Sequence, residues 1–260
     1  MFFLHILIAF KFISLVPSIT EIFYILDAED SLLATTIYCN YPAEALEKPK
    51  VGDLIHPDYE KILRLNPDYI LITLPMQEMV RRNLDKLGLK WLAFSPESIE
   101  GVLETIDSLG KITGKRSRSA FVIDSLRKIL KTLRSPLRSP EIYIELSYKP
   151  LYTCGGKSFI NEIIEVAGGR NIFADRNTGY FSPPQEDIIK KSPDIIILSY
   201  PGAQKEEIAK RLGWENIKAV KEHQIFVLDQ DIISRPGPRI FSAIKILNEI
   251  FIEWSKAHNP

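Results

Sequence analysis

The chain has 260 residues, of which 45% are hydrophobic and 25% charged, an ordinary globular composition with enough length for two cores. Basic and acidic residues both number 33, so the basic excess expected of a nucleic-acid binder is missing. Two cysteines, Cys39 and Cys154, make neither a metal spacing nor a disulfide framework, and free thiols are expected.

The opening MFFLHILIAF (1–10) is apolar, but Lys11 interrupts it well short of the ~20 residues of a spanning helix. It lacks the basic start and small-residue cleavage site of a secretory signal. Its residues leave two readings open, an apolar extension or an atypical signal remnant. A strand is predicted over 11–15, a turn at Val16-Pro17-Ser18 and a helix over 19–26. A strand over 31–37 leads into the polar and aromatic loop YCNYP (38–42). A helix near 58–66 and a strand over 68–74 follow, then a helix over 76–87 ended by Gly88 and a strand over 89–94. Ser95-Pro96 is predicted to cap and open the next helix, and Gly110 to close it.

Over 117–134, Val122, Leu126, Ile129 and Leu133 form one helical stripe with lysines and arginines around it. Such a helix would span roughly 25–30 Å, a stiff connector rather than a hinge. Beyond the linker SPLRSP come a strand over 141–147, a loop over 148–156 and a helix over 158–169. Later come a helix near 203–212, a strand over 224–229, the loop QDIISRPGP (230–238) and an amphipathic helix over 239–257. Strands alternating with helices imply mainly parallel sheets with binding loops at the carboxyl ends of the strands.

One pattern occurs twice. EKILRLNPDYILITLP (60–75) and EDIIKKSPDIIILSYP (186–201) align without a gap, 126 residues apart. Each reads as a short helix, a Pro-Asp turn, a buried strand and a proline stop, and each begins with a glutamate, Glu60 or Glu186. INEI (160–163) also echoes ITEI (19–22). A unit that recurs in each half implies two similar lobes facing across a ligand-binding cleft.

Catalytic motifs are scarce. GGKS (155–158) sits where a phosphate loop would, but Leu151 occupies the position of its first glycine. There is no G-x-S-x-G, H-E-x-x-H or Cys-x-x-Cys. His56, in VGDLIHPDYE, reads as a solvated loop residue or as an axial contact to a chelated metal.

ISLVPSITEI (13–22), YCNYPAEA (38–45), EKILRLNPDYIL (60–71), GGKSFINEIIEVAGGRNIFAD (155–175) and SRPGPRI (234–240) occur in that order. Together they resemble the class III substrate-binding proteins of ABC importers, the vitamin B12-binding type above all. The resemblance covers nearly the whole chain from Lys11 on. It implies two Rossmann-like α/β lobes of chelatase-like fold with mainly parallel sheets, spanning 11–112 and 137–260, joined by one long backbone helix at 113–136. It further implies a monomeric, extracytoplasmic, non-enzymatic receptor without an intrinsic cofactor. Such a receptor would bind cobalamin or a related corrinoid and deliver it to a permease dimer with its ATPase subunits.

By resemblance, Glu60 and Glu186 would dock onto the permease, although each glutamate also suits a helix N-terminus by its charge alone. Tyr38, Leu54, Tyr180, Asp231, Ile232, Ile233, Ser234 and Arg235 would lie at the ligand, with Tyr41 and Phe181 either beside it or packing their own loops. Leu54 stands where the B12-binding type has a tryptophan, and Ala167 and Leu247 stand near the place of its disulfide. An iron-siderophore or haem is the nearest rival ligand. Siderophore pockets usually need several cations, and Arg235, Lys149 and Arg176 are the candidates here. The second alternative is a two-lobed metal-cofactor enzyme of chelatase or nitrogenase-like type, for which Cys39 and Cys154, one per lobe, would be the metal-facing residues.

Overall fold

The computed structural model describes residues 10–258, so the reading of the apolar N-terminus lies outside the described residues except at Phe10. The chain forms two compact units. One runs to Pro96 and resumes over Glu100–Ser125; the other takes Glu97–Ile99 and the chain from Leu126 on.

The first unit contains β1 (Phe12–Ser14), α1 (Pro17–Ile25), β2 (Leu32–Thr35), α2 (Tyr59–Leu65), β3 (Tyr69–Ile72), α3 (Glu78–Lys86) and β4 (Trp91–Ala93), followed by α4 (Ile99–Ile112). Then α5 (Arg116–Lys131) carries the chain across the unit boundary as one helix. The second unit contains β5 (Glu141–Glu145), β6 (Ser147–Tyr148), β7 (Leu151–Cys154), α6 (Phe159–Val166), β8 (Arg170–Asn171), β9 (Tyr180–Phe181), α7 (Gln185–Lys191) and β10 (Ile195–Leu198). It ends with α8 (Lys205–Ile208), α9 (Lys218–Lys221), β11 (Ile225–Val227), α10 (Gln230–Ile233) and α11 (Ile240–Ala257).

Each unit has a four-stranded sheet, ordered β2-β1-β3-β4 in the first and β8-β5-β10-β11 in the second. Every pair in both sheets is parallel. The central strands carry continuous apolar runs because helices cover both faces. Ile70, Leu71 and Ile72 of β3 are fully buried, as are Ile195, Ile196 and Leu198 of β10.

The sequence repeat is a structural repeat, residue for residue. α2 and α7 start and stop at equivalent positions, and both end on a left-handed residue, Asn66 at φ 48° and Ser192 at φ 43°. The aspartate of each Pro-Asp turn then ties the helix-to-strand corner to the neighbouring strand. The Asp68 carboxylate accepts from Lys11 N at 2.7 Å, and the Asp194 carboxylate from Glu141 N at 3.0 Å. The same two aspartates donate their own N–H to the Lys11 and Glu141 carbonyls, each at 2.8 Å.

The units differ in one place. Phe12 corresponds to Ile142 by strand register, and Ile19 to Ile160 by the helix echo. Ile19 follows Phe12 by seven positions in the first unit, and Ile160 follows Ile142 by eighteen in the second. The added residues build the hairpin β6-β7, which with β9 forms a small antiparallel sheet. Sequence periodicity assigns a loop there, because strands of two to four residues are too short to show an alternation.

Other expectations are corrected. Pro17 and Ser18 already belong to α1. Ser95 does not cap α4: its hydroxyl accepts from Leu74 N at 2.8 Å. The helix starts instead at Ile99, whose N–H meets the Glu162 carboxylate at 3.0 Å. Gly110 lies inside α4, where a Cβ would collide with Ser119 of α5, and Gly114 at φ +73° makes the turn. The helix expected near 203–212 shortens to α8, since Gly213 at φ +82° redirects the chain into a single turn at Trp214–Asn216 and then α9. The loop expected at 230–238 begins with the turn of helix α10.

Asp194 is buried and Asp68 exposed, so the two corner ties should differ in strength. Asp194→Ala is expected to cost about 1–3 kcal/mol by urea unfolding, and Asp68→Ala at most about 1 kcal/mol.

Candidate functional site

In the first unit, three loops at the carboxyl edge of the sheet are held to one another. After β2, Ile37 N donates to Gly52 O at 3.0 Å. The Lys50 ammonium pins the same loop by donating to Thr35 Oγ1 at 2.9 Å, Cys39 O at 3.1 Å and Ala45 O at 2.8 Å. Partial desolvation lowers the Lys50 pKa, with the Cys39 thiol opposing the shift. Gly52 at φ +89° starts the next loop, where a Cβ would collide with the His56 carbonyl. After β3, the buried Gln77 side chain accepts from Thr73 N at 2.7 Å and donates to Leu54 O at 2.6 Å.

With their backbones so fixed, these loops and the first turn of α3 expose apolar side chains: Ile37, Tyr38, Tyr41, Ile55 and Met76 from the loops and Met79 from α3. Leu54 is half-buried. Ile37, Ile55, Met76 and Met79 escaped sequence reasoning. Ile37 was hidden at the end of the strand expected over 31–37, and Met76 and Met79 inside the helix expected over 76–87.

His56 is exposed, with Nδ1 3.2 Å from Asp53. That carboxylate also accepts from the His56 and Ile55 N–H groups, which hold its pKa below the usual range. Among the described residues no group of three or more His, Cys, Asp or Glu could hold a metal ion.

In the second unit the corresponding edge carries the small antiparallel sheet. Tyr180 of β9 pairs with Cys154 of β7 and stacks on Tyr152 with ring centroids 6.2 Å apart. Although Tyr180 is 42% exposed, desolvation of its phenol, aided by Cys154 and Tyr152, raises its pKa to about 12. Phe181 packs edge-on against the buried Phe173 at 5.3 Å, so it serves its own unit's core. In α10, Asp229 caps the turn and Asp231 forms an ion pair with Arg235 at 2.7 Å. Ile232 is half-buried and Ser234 exposed. Ile233 is fully buried, which corrects its assignment as a ligand-facing side chain.

The cations weighed at this edge have partners. Arg176 pairs with Asp187 at 3.2 Å, and Lys149 lies over the Tyr148 ring at 5.2 Å. Sequence reasoning also missed Glu145, at the end of β5, and Arg211, a buried pair with an Nη1–Oε2 distance of 2.6 Å. A glutamate closing a buried strand was the visible signal.

The GGKS segment is a packing feature. Gly155, Gly156 and Lys157 donate their N–H groups to Gly179 O, Arg176 O and Thr178 O, leaving none for a phosphate. A Cβ on Gly155 would run into the Thr178 and Arg176 carbonyls, and one on Gly156 into the Ala174 carbonyl. Cys39 and Cys154 are free and buried. The Cys39 sulfur accepts from Thr20 at 3.1 Å, and burial pushes the Cys154 thiol up to about 11. Glu60 and Glu186 are exposed, each the second residue of its helix, α2 or α7.

The family model for periplasmic binding proteins matches residues 13–232. The chain belongs to this periplasmic binding protein family. An uncharacterised ABC transporter substrate-binding lipoprotein of Bacillus subtilis is 30% identical over 250 residues, 92% of this chain and 79% of that protein. The solved structure of a possible iron-binding (periplasmic solute-binding) protein of Staphylococcus epidermidis is 31% identical with a TM-score of 0.81, covering 93% and 98% of the two chains. The solved vitamin B12-binding protein BtuF of Vibrio cholerae is 26% identical with a TM-score of 0.76, covering 95% and 98%.

This periplasmic binding protein is therefore a class III ABC-transporter substrate-binding protein, not an enzyme, and its fold is that of the class. Such proteins work with a permease and an ATPase, and its relatives are extracytoplasmic. No helix among the described residues is long and apolar enough to cross a membrane.

The buried, high-pKa Cys154 should resist alkylation. Iodoacetamide at pH 8 is expected to leave it unmodified in the folded protein and to label it fully in guanidinium, read by mass spectrometry.

Proposed function

We propose that this chain is the receptor of an ABC importer for a corrinoid, cobalamin in the first place. The observation that carries this reading is the character of the two carboxyl edges. Both expose aromatic and apolar side chains, Tyr38 and Tyr41 on one and Tyr148, Tyr152 and Tyr180 on the other. Arg235 and Arg176, which could have met an anionic chelate, are engaged in ion pairs. A flat macrocycle takes apolar and aromatic contacts for its ring and a few polar groups for its periphery. Tyr38, Leu54 and Tyr180 would serve the ring, and Asp231, Ile232, Ser234 and Arg235 its periphery. His56, exposed and held by Asp53, would be an axial contact at most. The B12-binding relative supports the same ligand.

An iron chelate, siderophore or haem, is the second reading, favoured by the Staphylococcus epidermidis relative described as a possible iron-binding protein. In either case the protein would act outside the cytoplasm as a monomer. Glu60 and Glu186, presented alike by matched helices, would meet basic residues of the permease dimer, setting orientation and on-rate.

Calorimetric titration with cyanocobalamin is expected to give one-to-one binding. Tyr38→Ala and Tyr180→Ala should each weaken it by about tenfold, ~1.4 kcal/mol, with the fold intact by circular dichroism. Tight binding of haemin or a ferric hydroxamate without cyanocobalamin binding would reassign the ligand. The double variant Glu60→Ala/Glu186→Ala should keep the ligand affinity and lose most uptake in a reconstituted transporter. Unchanged uptake would remove the docking role.

A further inference from the structure

Glu145 ends β5 at the carboxyl edge of the second sheet and is wholly buried. Its counterpart by strand register in the first unit is Leu15, also wholly buried. The apolar residue shows that a strand end here needs no charge for folding. A buried ion pair is commonly no more stabilising than an apolar one of similar size, so the carboxylate calls for another explanation.

Its partner is Arg211, 6% exposed. The two form a bidentate pair, Nη1–Oε2 at 2.6 Å and Nη2–Oε1 at 2.7 Å, and the buried Tyr143 hydroxyl donates to Oε2 at 3.3 Å. The guanidinium lies between two aromatic rings, 3.8 Å from the Tyr148 centroid and 4.5 Å from that of Trp214. Its Nη2 is 3.4 Å from the Tyr200 hydroxyl. Tyr148 belongs to the hairpin that distinguishes this unit and is 37% exposed. The arginine charge thus sits one aromatic ring below the surface, where solvent and salt screen it little. Lys149, over the same ring at 5.2 Å, is exposed, and its charge is screened.

We infer that Glu145 is a charge lock: by neutralising Arg211 beneath Tyr148, it makes this edge select neutral over anionic chelates. The inference rests on the reading that the carboxyl edge of this sheet meets the ligand. Glu145 and Arg211 are positioning and specificity residues that act through Tyr148 and the local field. Without the carboxylate, an uncompensated positive charge would stand under the ligand face and favour an anion.

The test measures affinities for cyanocobalamin and for a polyanionic ferric catecholate, in the intact protein and in Glu145→Gln. The ratio of anionic to neutral affinity is expected to rise at least about tenfold in Glu145→Gln. The paired variant Glu145→Leu/Arg211→Met, which removes both charges, should return the ratio to that of the parent. An unchanged ratio in folded Glu145→Gln, or a shift that persists in the paired variant, overturns the lock.

If Glu145→Gln does not fold, the salt dependence of the parent decides. Affinity for the catecholate that is weak and nearly independent of salt supports the lock, and tight binding that falls steeply with salt overturns it. If the parent binds haemin and not cyanocobalamin, the corrinoid reading falls while the lock is tested on haemin against its neutral dimethyl ester. Binding of none of these probes overturns the receptor reading and the lock together.

Discussion

In each parallel sheet, the strand that comes first in the chain lies between the next two of that sheet, β1 between β2 and β3 and β5 between β8 and β10, and the rest of the structure follows from that arrangement. Parallel neighbours cannot be joined by a tight turn, so each connection must leave one edge of the sheet and return to the other through a crossover. All strands of a sheet then deliver their following loops to one carboxyl edge. The paired aspartates maintain the geometry. Asp68 bonds in both directions to Lys11, just before β1, and Asp194 to Glu141, the first residue of β5, so the corner after α2 or α7 cannot slip without breaking two hydrogen bonds. On this fixed frame, Lys50 and Gln77 hold the loops of the first unit by side-chain bonds to backbone carbonyls and N–H groups.

Much of this frame was legible in the sequence because it was written twice. A helix, a Pro-Asp turn and an apolar strand at constant spacing predict two α/β units, and the equivalent limits of α2 and α7 agree residue for residue. The long stripe beginning at Val122 likewise marks α5. What failed to show was set by contacts distant in sequence. Ser95 has the chemistry of a helix cap, but its hydroxyl meets Leu74 N. Gly110 resembles a helix stop, but the reason for a glycine there is Ser119 on the next helix. The hairpin β6-β7 is too short for any period to register.

The candidate site was legible in part. The family resemblance places Tyr38 and Tyr180 at the ligand, and both are exposed. The resemblance groups Ile233 with its neighbours, yet a single turn of helix directs it into the core. The pair Glu145–Arg211 was hidden because its members stand 66 positions apart, and no local pattern distinguishes a buried, compensated charge from a solvated one.

The eleven-residue difference between the units has a consequence for how such a protein can change. Helices α2 and α7 match in their limits and in their left-handed ends, while the hairpin belongs to the second unit alone, where β7 pairs with β9. A change in the hairpin's length or aromatic content would leave the repeated helix, turn and strand of both units in place. The repeat carries the parts the two units share, and the inserted hairpin is where one unit departs from the other.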